Sequence, residues 1–431
     1  MMKAILSQLL ADFHERKLPA LTPRRAALPH LPGKATAVIG MRRTGKTWFC
    51  FQRMEELLAQ GVRSDQLLYL NFEDDRLLDF GVRDFQTVLD VFYSRFPNNR
   101  DADCFFFFDE IQRIPQWESF VRRLLDSERV QIVLTGSSST LLSTEIASSL
   151  RGRAVSTEIF PFSFIEFLQF HKIFEKVPAS FSSRTCSLLR KALGDYVKTG
   201  GFPEVQNLDP GMRTEMLQGY IDAVLLKDVV ERHKISAVLP LKHLLRHVLN
   251  APGMLFSVNK FHHTLQSMGI ASAKNSLYEY VEYLTDAYLL FKVPLHTRSE
   301  RQRQVVPPKL YAIDTGLLQA MTFRHSPNAG PLLETLVYLH LRRAGYHLEF
   351  VRTADGYEVD FLARHPISGE IKLLQVCYDL RPDKVLDREL RALNRAKHEL
   401  RVEDATVVTW DDETTLPDGN EVIPAWKILL R

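Results

Sequence analysis

Along the first third of the chain, short apolar runs alternate with stretches whose apolar positions recur every three or four residues. Runs at 36–39, 67–72, 104–108 and 130–135 predict strands, and the periodic stretches at 46–60, 84–95 and 117–127 predict helices. Such alternation implies βαβ units and a parallel sheet covered on both faces. Residues 1–16 read as an amphipathic helix, and Leu21 to Pro32, punctuated by Pro and Arg, as a connector. From Phe160 onward the pattern changes to helices with aromatic stripes, broken at Phe160-Pro161-Phe162 and at Thr199-Gly200-Gly201-Phe202-Pro203. Three helical patterns across 241–300, followed by the apolar stretch Tyr288 to Val293, have a winged-helix-like order. Mixed α/β character then returns, with a helix at 331–344 and strands near 347–352, 357–363, 371–377 and 405–410.

Composition changes this picture little. The 431 residues are 45% hydrophobic and 25% charged with a formal net charge of +3, an ordinary globular balance in which any basic footprint must be local. Cys50, Cys104, Cys186 and Cys377 are scattered without a CxxC pair, which excludes a zinc finger of the usual spacing and gives no disulfide framework. No apolar run approaches the length of a membrane span, so a cytoplasmic location without membrane attachment is expected.

The chemistry begins where the first strand ends. Gly40-Met41-Arg42-Arg43-Thr44-Gly45-Lys46-Thr47 is a GxxxxGKT loop between a predicted strand and a predicted helix. Gly40 and Gly45 let the backbone turn its N–H groups toward phosphate oxygens, Lys46 brings a mobile charge, and the Thr47 hydroxyl suits Mg²⁺. The start of the following helix adds its dipole. Arg42, Arg43 and Thr44 are expected beside the phosphates, with only one of the two arginines able to point inward. This pattern predicts a P-loop that binds ATP and Mg²⁺.

The run Phe105-Phe106-Phe107-Phe108 reads as a strand buried on both faces, with Asp109-Glu110 at its C-terminal end, where parallel sheets bind ligands. Asp109 is expected to hold Mg²⁺ through its water shell and Glu110 to polarise the attacking water. The next strand ends in Thr135-Gly136-Ser137-Ser138-Ser139, where Ser137 or Ser138 either senses the γ-phosphate or caps a helix. Arg151 and Arg153, in Leu150-Arg151-Gly152-Arg153, read either as arginine fingers, in cis or in trans, or as a solvated basic turn.

With these segments in place, the chain resembles a prokaryotic family of AAA-type, or related STAND-type, ATPases with a helical middle and a C-terminal domain of unknown function. Phe160-Pro161-Phe162-Ser163-Phe164, Gly200-Gly201-Phe202-Pro203-Glu204, the Tyr220 to Val229 helix and Tyr311-Ala312-Ile313-Asp314-Thr315-Gly316 carry the resemblance further. It implies ATP binding and hydrolysis and a nuclease-like C-terminal fold. The expected fold class is therefore α/β: a P-loop NTPase parallel sheet, a helical and winged-helix region, and a restriction-endonuclease-like α/β domain. The expected boundaries are 1–32 helix and connector, 33–160 ATPase, 161–235 helical, 236–304 winged-helix-like and 305–431 nuclease-like.

The last part resembles the PD-(D/E)xK fold, in which a helix Glu, a strand Asp and an (Asp/Glu)-x-Lys tripeptide on the next strand bind Mg²⁺ and activate water. Glu334 and Asp360 match the first two, whereas the tripeptide reads Gln375-Val376-Cys377 and lacks the lysine. Glu370-Ile371-Lys372 has the right residue types. With a turn at 365–369, however, Asp360 lies opposite 374 or 375, and Glu370 falls about four rows away, roughly 13 Å at ~3.3 Å per residue. A degenerate site of Glu334, Asp360 and Gln375, with weak or absent cleavage, is expected.

Between the two, residues 241–303 carry more Lys and Arg than Asp and Glu, and Ser272 to Asp286 reads as a recognition helix capped by Ser272, with Lys274, Asn275 and Ser276 at its exposed start. The adjacent His262 and His263 diverge on a helix and do not chelate together. Tyr278, Tyr280, Tyr283 and Tyr288 read as packing residues. The leading expectation is an ATPase acting as a nucleotide switch on its C-terminal regions, with DNA or another protein as partner and oligomers open. The alternatives are an ATP-gated nucleic-acid-binding or defence-type nuclease effector and a non-hydrolysing, nucleotide-dependent scaffold.

Overall fold

The four-phenylalanine run forms a fully buried interior strand of the first sheet. In a computed structural model, which describes residues 1–431 other than 30, 137–149, 179, 323–328, 381–382 and 416–418, the chain divides into two units, Met1–Ile159 and Phe160–Arg431. Among the described residues the first unit carries a five-stranded sheet of order β2-β3-β4-β1-β5. Its strands are β1 (Ala35–Ile39), β2 (Leu67–Asn71), β3 (Cys104–Asp109), β4 (Val130–Thr135) and β5 (Ala154–Glu158), and every pairing is parallel. All of β3 is buried, because helices cover both faces and the large rings fill the space between layers. Phe85 of α3 (Phe85–Arg95) stacks on Phe120 of α4 (Trp117–Ser127) with centroids 4.3 Å apart. The N-terminal helix α1 (Met2–Glu15) buries Leu6 and Leu10, and α2 (Lys46–Ala59) follows the phosphate loop.

The hydrophobic pattern did not reveal β5. Ala154-Val155-Ser156-Thr157-Glu158 is a half-exposed edge strand whose polar residues hide its periodicity. It matters because it closes the phosphate loop. Ile159 N donates to Ile39 O at 2.7 Å, and a β-carbon at Gly40 (φ +144°) would come within 2.3 Å of Ile159 O.

The second unit begins with α5 (Phe164–Phe170), α6 (Ser183–Thr199) and α7 (Pro210–Ala223), which continues as a π-helical segment, Val224–Glu231. Helices α8 (Val238–Leu249), α9 (Val258–Ser267) and α10 (Lys274–Asp286) lead into an antiparallel ribbon of β6 (Leu290–Val293) and β7 (Lys309–Ala312), with the short α11 (Glu300–Val305) between its strands. Contrary to the Ser272 cap expected from sequence, Ala273 occupies the N-cap of α10. The Ser272 carbonyl is instead engaged by His262 Nε2 at 3.1 Å. Tyr278 is exposed, while Tyr280 and Tyr288 are buried.

Next come α12 (Thr315–Met321) and α13 (Ala329–Arg343), then a six-stranded sheet of order β12-β13-β11-β10-β9-β8. Its strands are β8 (His347–Arg352), β9 (Glu358–Arg364), β10 (Ile371–Val376), β11 (Ala405–Thr409), β12 (Thr414–Thr415) and β13 (Glu421–Pro424). Helices α13 and α14 (Asp383–Leu400) pack on its strands, and α15 (Ala425–Ile428) ends the chain.

Two of the segments quoted for the resemblance meet inside this unit. Asp314 Oδ2 accepts from Gly201 N at 2.7 Å and Oδ1 from Leu317 N at 3.2 Å. A β-carbon at Gly200 would come 2.1 Å from Asp314 Oδ1, and one at Gly316 2.4 Å from Thr199 O. Only glycines allow that approach. Burial pushes the Asp314 carboxyl up to about 6. Among the described residues no helix is long and apolar enough to cross a membrane.

Candidate functional site

Register delivers the chemistry. Asn71 pairs with Asp109 and Phe108 with Leu134, so the parallel strands end level and Asp109 emerges beside the loop that leaves β1. Gly45 takes φ +93° at the N-cap of α2. The Thr44 hydroxyl donates to Met41 O at 2.9 Å, and its carbonyl accepts from Arg24 Nη1 at 2.8 Å. Thr44 therefore shapes the loop with its side chain and anchors the 21–32 connector with its backbone. Lys46 is buried and donates to Gly40 O at 3.0 Å and Met41 O at 2.9 Å.

Asp109 Oδ2 accepts from the Thr47 hydroxyl and from Tyr69 OH, each at 2.8 Å. The Thr135 hydroxyl donates to Asp109 Oδ1 and accepts from Glu110 N at 3.1 Å. Thr47 and Asp109 offer hard oxygen donors side by side, the donor set Mg²⁺ takes while keeping several waters. These residues fit the ion.

Glu110 sits at φ +54°, a backbone region that bulky residues seldom adopt and that concentrates at functional sites. Its carboxylate accepts from Gln112 Nε2. Burial raises the Glu110 carboxyl above its usual range, against the pull of Lys46 and with a further push from Asp109. Arg42 lies 4.0 Å from Glu73 Oε1, an oxygen that also pairs with Arg113, and Arg43 takes φ +67° on the surface.

Two expectations fall elsewhere. Ser137 and Ser138 lie outside the described residues, and the polar group seen between Asp109 and the Glu110 backbone is Thr135. Arg151 and Arg153 flank a turn, with Arg151 at φ +50° and Arg153 paired to Asp126. Ala35 N donates to Arg153 O at 2.9 Å, so this turn lies at the start of β1, one five-residue strand from Gly40. That is roughly 16 Å at ~3.3 Å per residue.

The second unit holds the other cluster. Ile371 pairs with Arg364 and Leu374 with Phe361. Asp360 therefore faces Gln375, whose Oε1 accepts from Asp360 N at 3.2 Å. Glu370 lies at the turn, bound to Lys372 at 2.7 Å and to Tyr346 OH, away from Asp360. Glu334 and Asp360 do converge, on a residue the sequence pattern did not flag. Lys309 Nζ lies 2.8 Å from Asp360 Oδ1, 3.0 Å from Glu358 Oε1 and 3.2 Å from Glu334 Oε1. Burial works against the Lys309 charge, but Asp360, Glu334 and Glu358 outweigh it and raise its pKa. Burial, with Asp360 adjacent, pushes Glu334 up to about 7 against the pull of Lys309. Among the described residues no three His, Cys, Asp or Glu side chains are gathered to hold a metal ion.

The protein MJ1544 of Methanocaldococcus jannaschii is 37% identical over 441 residues, covering 99% of this chain and 95% of that protein. The chain belongs to the MJ1544 family. A Haemophilus influenzae member is 30% identical over 80% of this chain and 82% of its own length. Within this MJ1544-family chain, a family model described as an AAA domain matches residues 32–168, which contain the whole phosphate-loop site, so this part is an AAA-type P-loop ATPase domain. A domain of unknown function, DUF8612, matches 190–328. It thus takes in the middle of the chain and Lys309, and stops short of Glu334. The Walker-type ATPase PABY2304 of Pyrococcus abyssi is similar at 14% identity and TM-score 0.42, over 67% of this chain and 90% of that one.

Proposed function

We propose that this chain hydrolyses ATP and that its nucleotide state acts as a switch on the residues beyond the AAA domain. The observation that carries this reading is the joining of Thr47 to Asp109 at 2.8 Å beneath the phosphate loop, with Glu110 held beside them by Gln112. Lys46 and the loop N–H groups bind phosphates, with Arg42 of the same loop beside Glu73. Glu110, its pKa raised, orients the attacking water and accepts its proton. Thr135 takes the place expected for Ser137 or Ser138, fixing Asp109 and the Glu110 backbone together. Bound Mg²⁺ supplies charge neutralisation on the phosphates. Arg151 and Arg153, a strand length from their own loop, serve in trans on a neighbouring copy.

Beyond Ile159 we assign 161–235 as helical, 236–304 as winged-helix-like and 305–431 as restriction-endonuclease-like. The order α8, α9, α10 and then a β-ribbon supports the second assignment. The pairing of a helix Glu with a strand Asp that faces residue 375 supports the third. The exposed Lys274 and Asn275 at the start of α10 favour DNA as partner over a purely protein-docking role.

ATP titration of the wild type and of Lys46→Ala, each with and without duplex DNA, tests this function. Binding lost in Lys46→Ala, with turnover in the wild type, supports the ATPase. Wild-type binding without turnover in either condition points to a scaffold. ATP-dependent DNA retention that weakens steeply with salt points to a nucleic-acid effector.

A further inference from the structure

We infer that the Lys309 ammonium stands where a restriction-endonuclease-like site takes its divalent cation, so that Glu334, Glu358 and Asp360 form a closed cage around an internal cation. This rests on the nuclease-like reading of 305–431 and says what became of its metal position. The lysine absent from position 377 has not simply been lost. A lysine from another strand has entered the cluster and sits at its centre.

Stoichiometry of donors and acceptors supports this. An ammonium has three N–H donors, and Nζ has three carboxylate neighbours at 2.8, 3.0 and 3.2 Å. Other protein donors also engage two of these carboxylates. Asp360 Oδ2 accepts from Val376 N at 3.0 Å, and Glu334 Oε1 also accepts from Tyr311 OH at 2.5 Å. Gln375, the other residue with an oxygen to offer a metal, has its carbonyl on Asp360 N and its amide on Glu389 Oε2 at 2.6 Å. The Lys309 side chain is only 4% exposed, and its Nζ lies 5.9 Å from the centre of the Phe350 ring. A divalent ion entering here must either displace this ammonium into an apolar wall or sit against it.

The cage also has a mechanical consequence. Lys309 belongs to β7 and to the DUF8612 match, whereas Glu334 is on α13 and Glu358 and Asp360 are on β9. The position that binds a metal in a nuclease here fastens the middle segment of the second unit to the C-terminal sheet.

The test is Mn²⁺ binding, followed by electron paramagnetic resonance, to the full chain without nucleotide. Wild type, Asp360→Asn, Glu358→Gln and the double variant Lys309→Met/Glu358→Gln are compared. The double variant removes one positive and one negative charge together, which keeps the cluster's net charge and favours folding. The expected result is identical Mn²⁺ uptake by wild type, Asp360→Asn and Glu358→Gln. The double variant gains one ion per chain, lost again when Asp360→Asn is added. Uptake by the wild type that disappears in Asp360→Asn or Glu358→Gln overturns the inference and leaves the nuclease-like reading standing. A double variant that is folded by circular dichroism yet gains no ion overturns both, because no cation position then lies under the lysine. The wild-type arm decides the inference even where the double variant does not fold.

Discussion

Both units bring a lysine and carboxylates together, but they use the lysine charge differently. In the AAA domain Lys46 reaches back to the carbonyls of Gly40 and Met41, while Asp109 is held by the hydroxyls of Thr47, Tyr69 and Thr135. Those hydrogen-bond partners are neutral, with the Glu110 carboxyl near enough to feel the Lys46 charge, and ligands of higher charge can exchange with them at little cost. In the second unit the Lys309 ammonium is bound directly to three carboxylates. Such a cluster is strong when complete and costly to break, since a removed partner leaves charge buried without compensation. Residue types alone do not make a site. Which group neutralises which decides whether it is open to a ligand.

Substitutions at each lysine and around it probe this contrast. Lys309→Met alone is expected to destabilise the protein by about 3–5 kcal/mol, as for other broken buried ion pairs. Chemical denaturation at several pH values measures it. Because burial and Asp360 push Glu334 up to about 7, lowering the pH lets the orphaned carboxyls protonate, so the loss should shrink at pH 5. A loss independent of pH breaks the comparison.

Asp314, pushed up to about 6 from 3.8, tests a carboxylate that has backbone donors instead of a lysine. Its folded pKa lies above the unfolded one, so its contribution to stability falls as pH rises from about 4 to 6. The difference of roughly two units corresponds to about 3 kcal/mol at 1.36 kcal/mol per unit. Asp314→Asn should flatten the pH dependence of unfolding across that window, and an unchanged slope contradicts the assignment.

Gly40→Ala forces a β-carbon toward Ile159 O at a backbone angle that L residues avoid. About 1–3 kcal/mol of strain is expected, and calorimetric ATP titration should show binding weakened with it. The smallest effect is expected at Gln112, whose bond to Glu110 lowers that carboxyl's pKa. Gln112→Ala should move the acid limb of the ATPase pH profile upward. That limb is expected above the ordinary glutamate value of about 4.3, because burial raises the Glu110 carboxyl and a general base is lost as pH falls through its pKa.

Much of this was legible in the amino-acid sequence. Strongly apolar β1 to β4 and the later β8 to β11 stand where their patterns place them, and the turn at 365–369 narrowed the residue opposite Asp360 to 374 or 375, of which the folded register takes Gln375. β5 was hidden because it is an edge strand with polar Ser156, Thr157 and Glu158 and no fully buried residue to mark an inward face. Lys309 was hidden for a different reason. It lies 51 residues from Asp360, on a four-residue strand with no alternation to betray it, and only the folded sheet brings it to the carboxylates. Tyr69 likewise reads as a core residue of an apolar strand until pairing with β3 sets its hydroxyl on Asp109.

The most direct test of the AAA-domain reading is ATP turnover by the wild type and Glu110→Gln, with nucleotide binding measured on both. The expected result is Mg²⁺-dependent turnover that falls about 10²–10⁴-fold in Glu110→Gln, while ATP binding is retained. Equal turnover in the two proteins, or ATP bound by the wild type with no turnover at all, would contradict it.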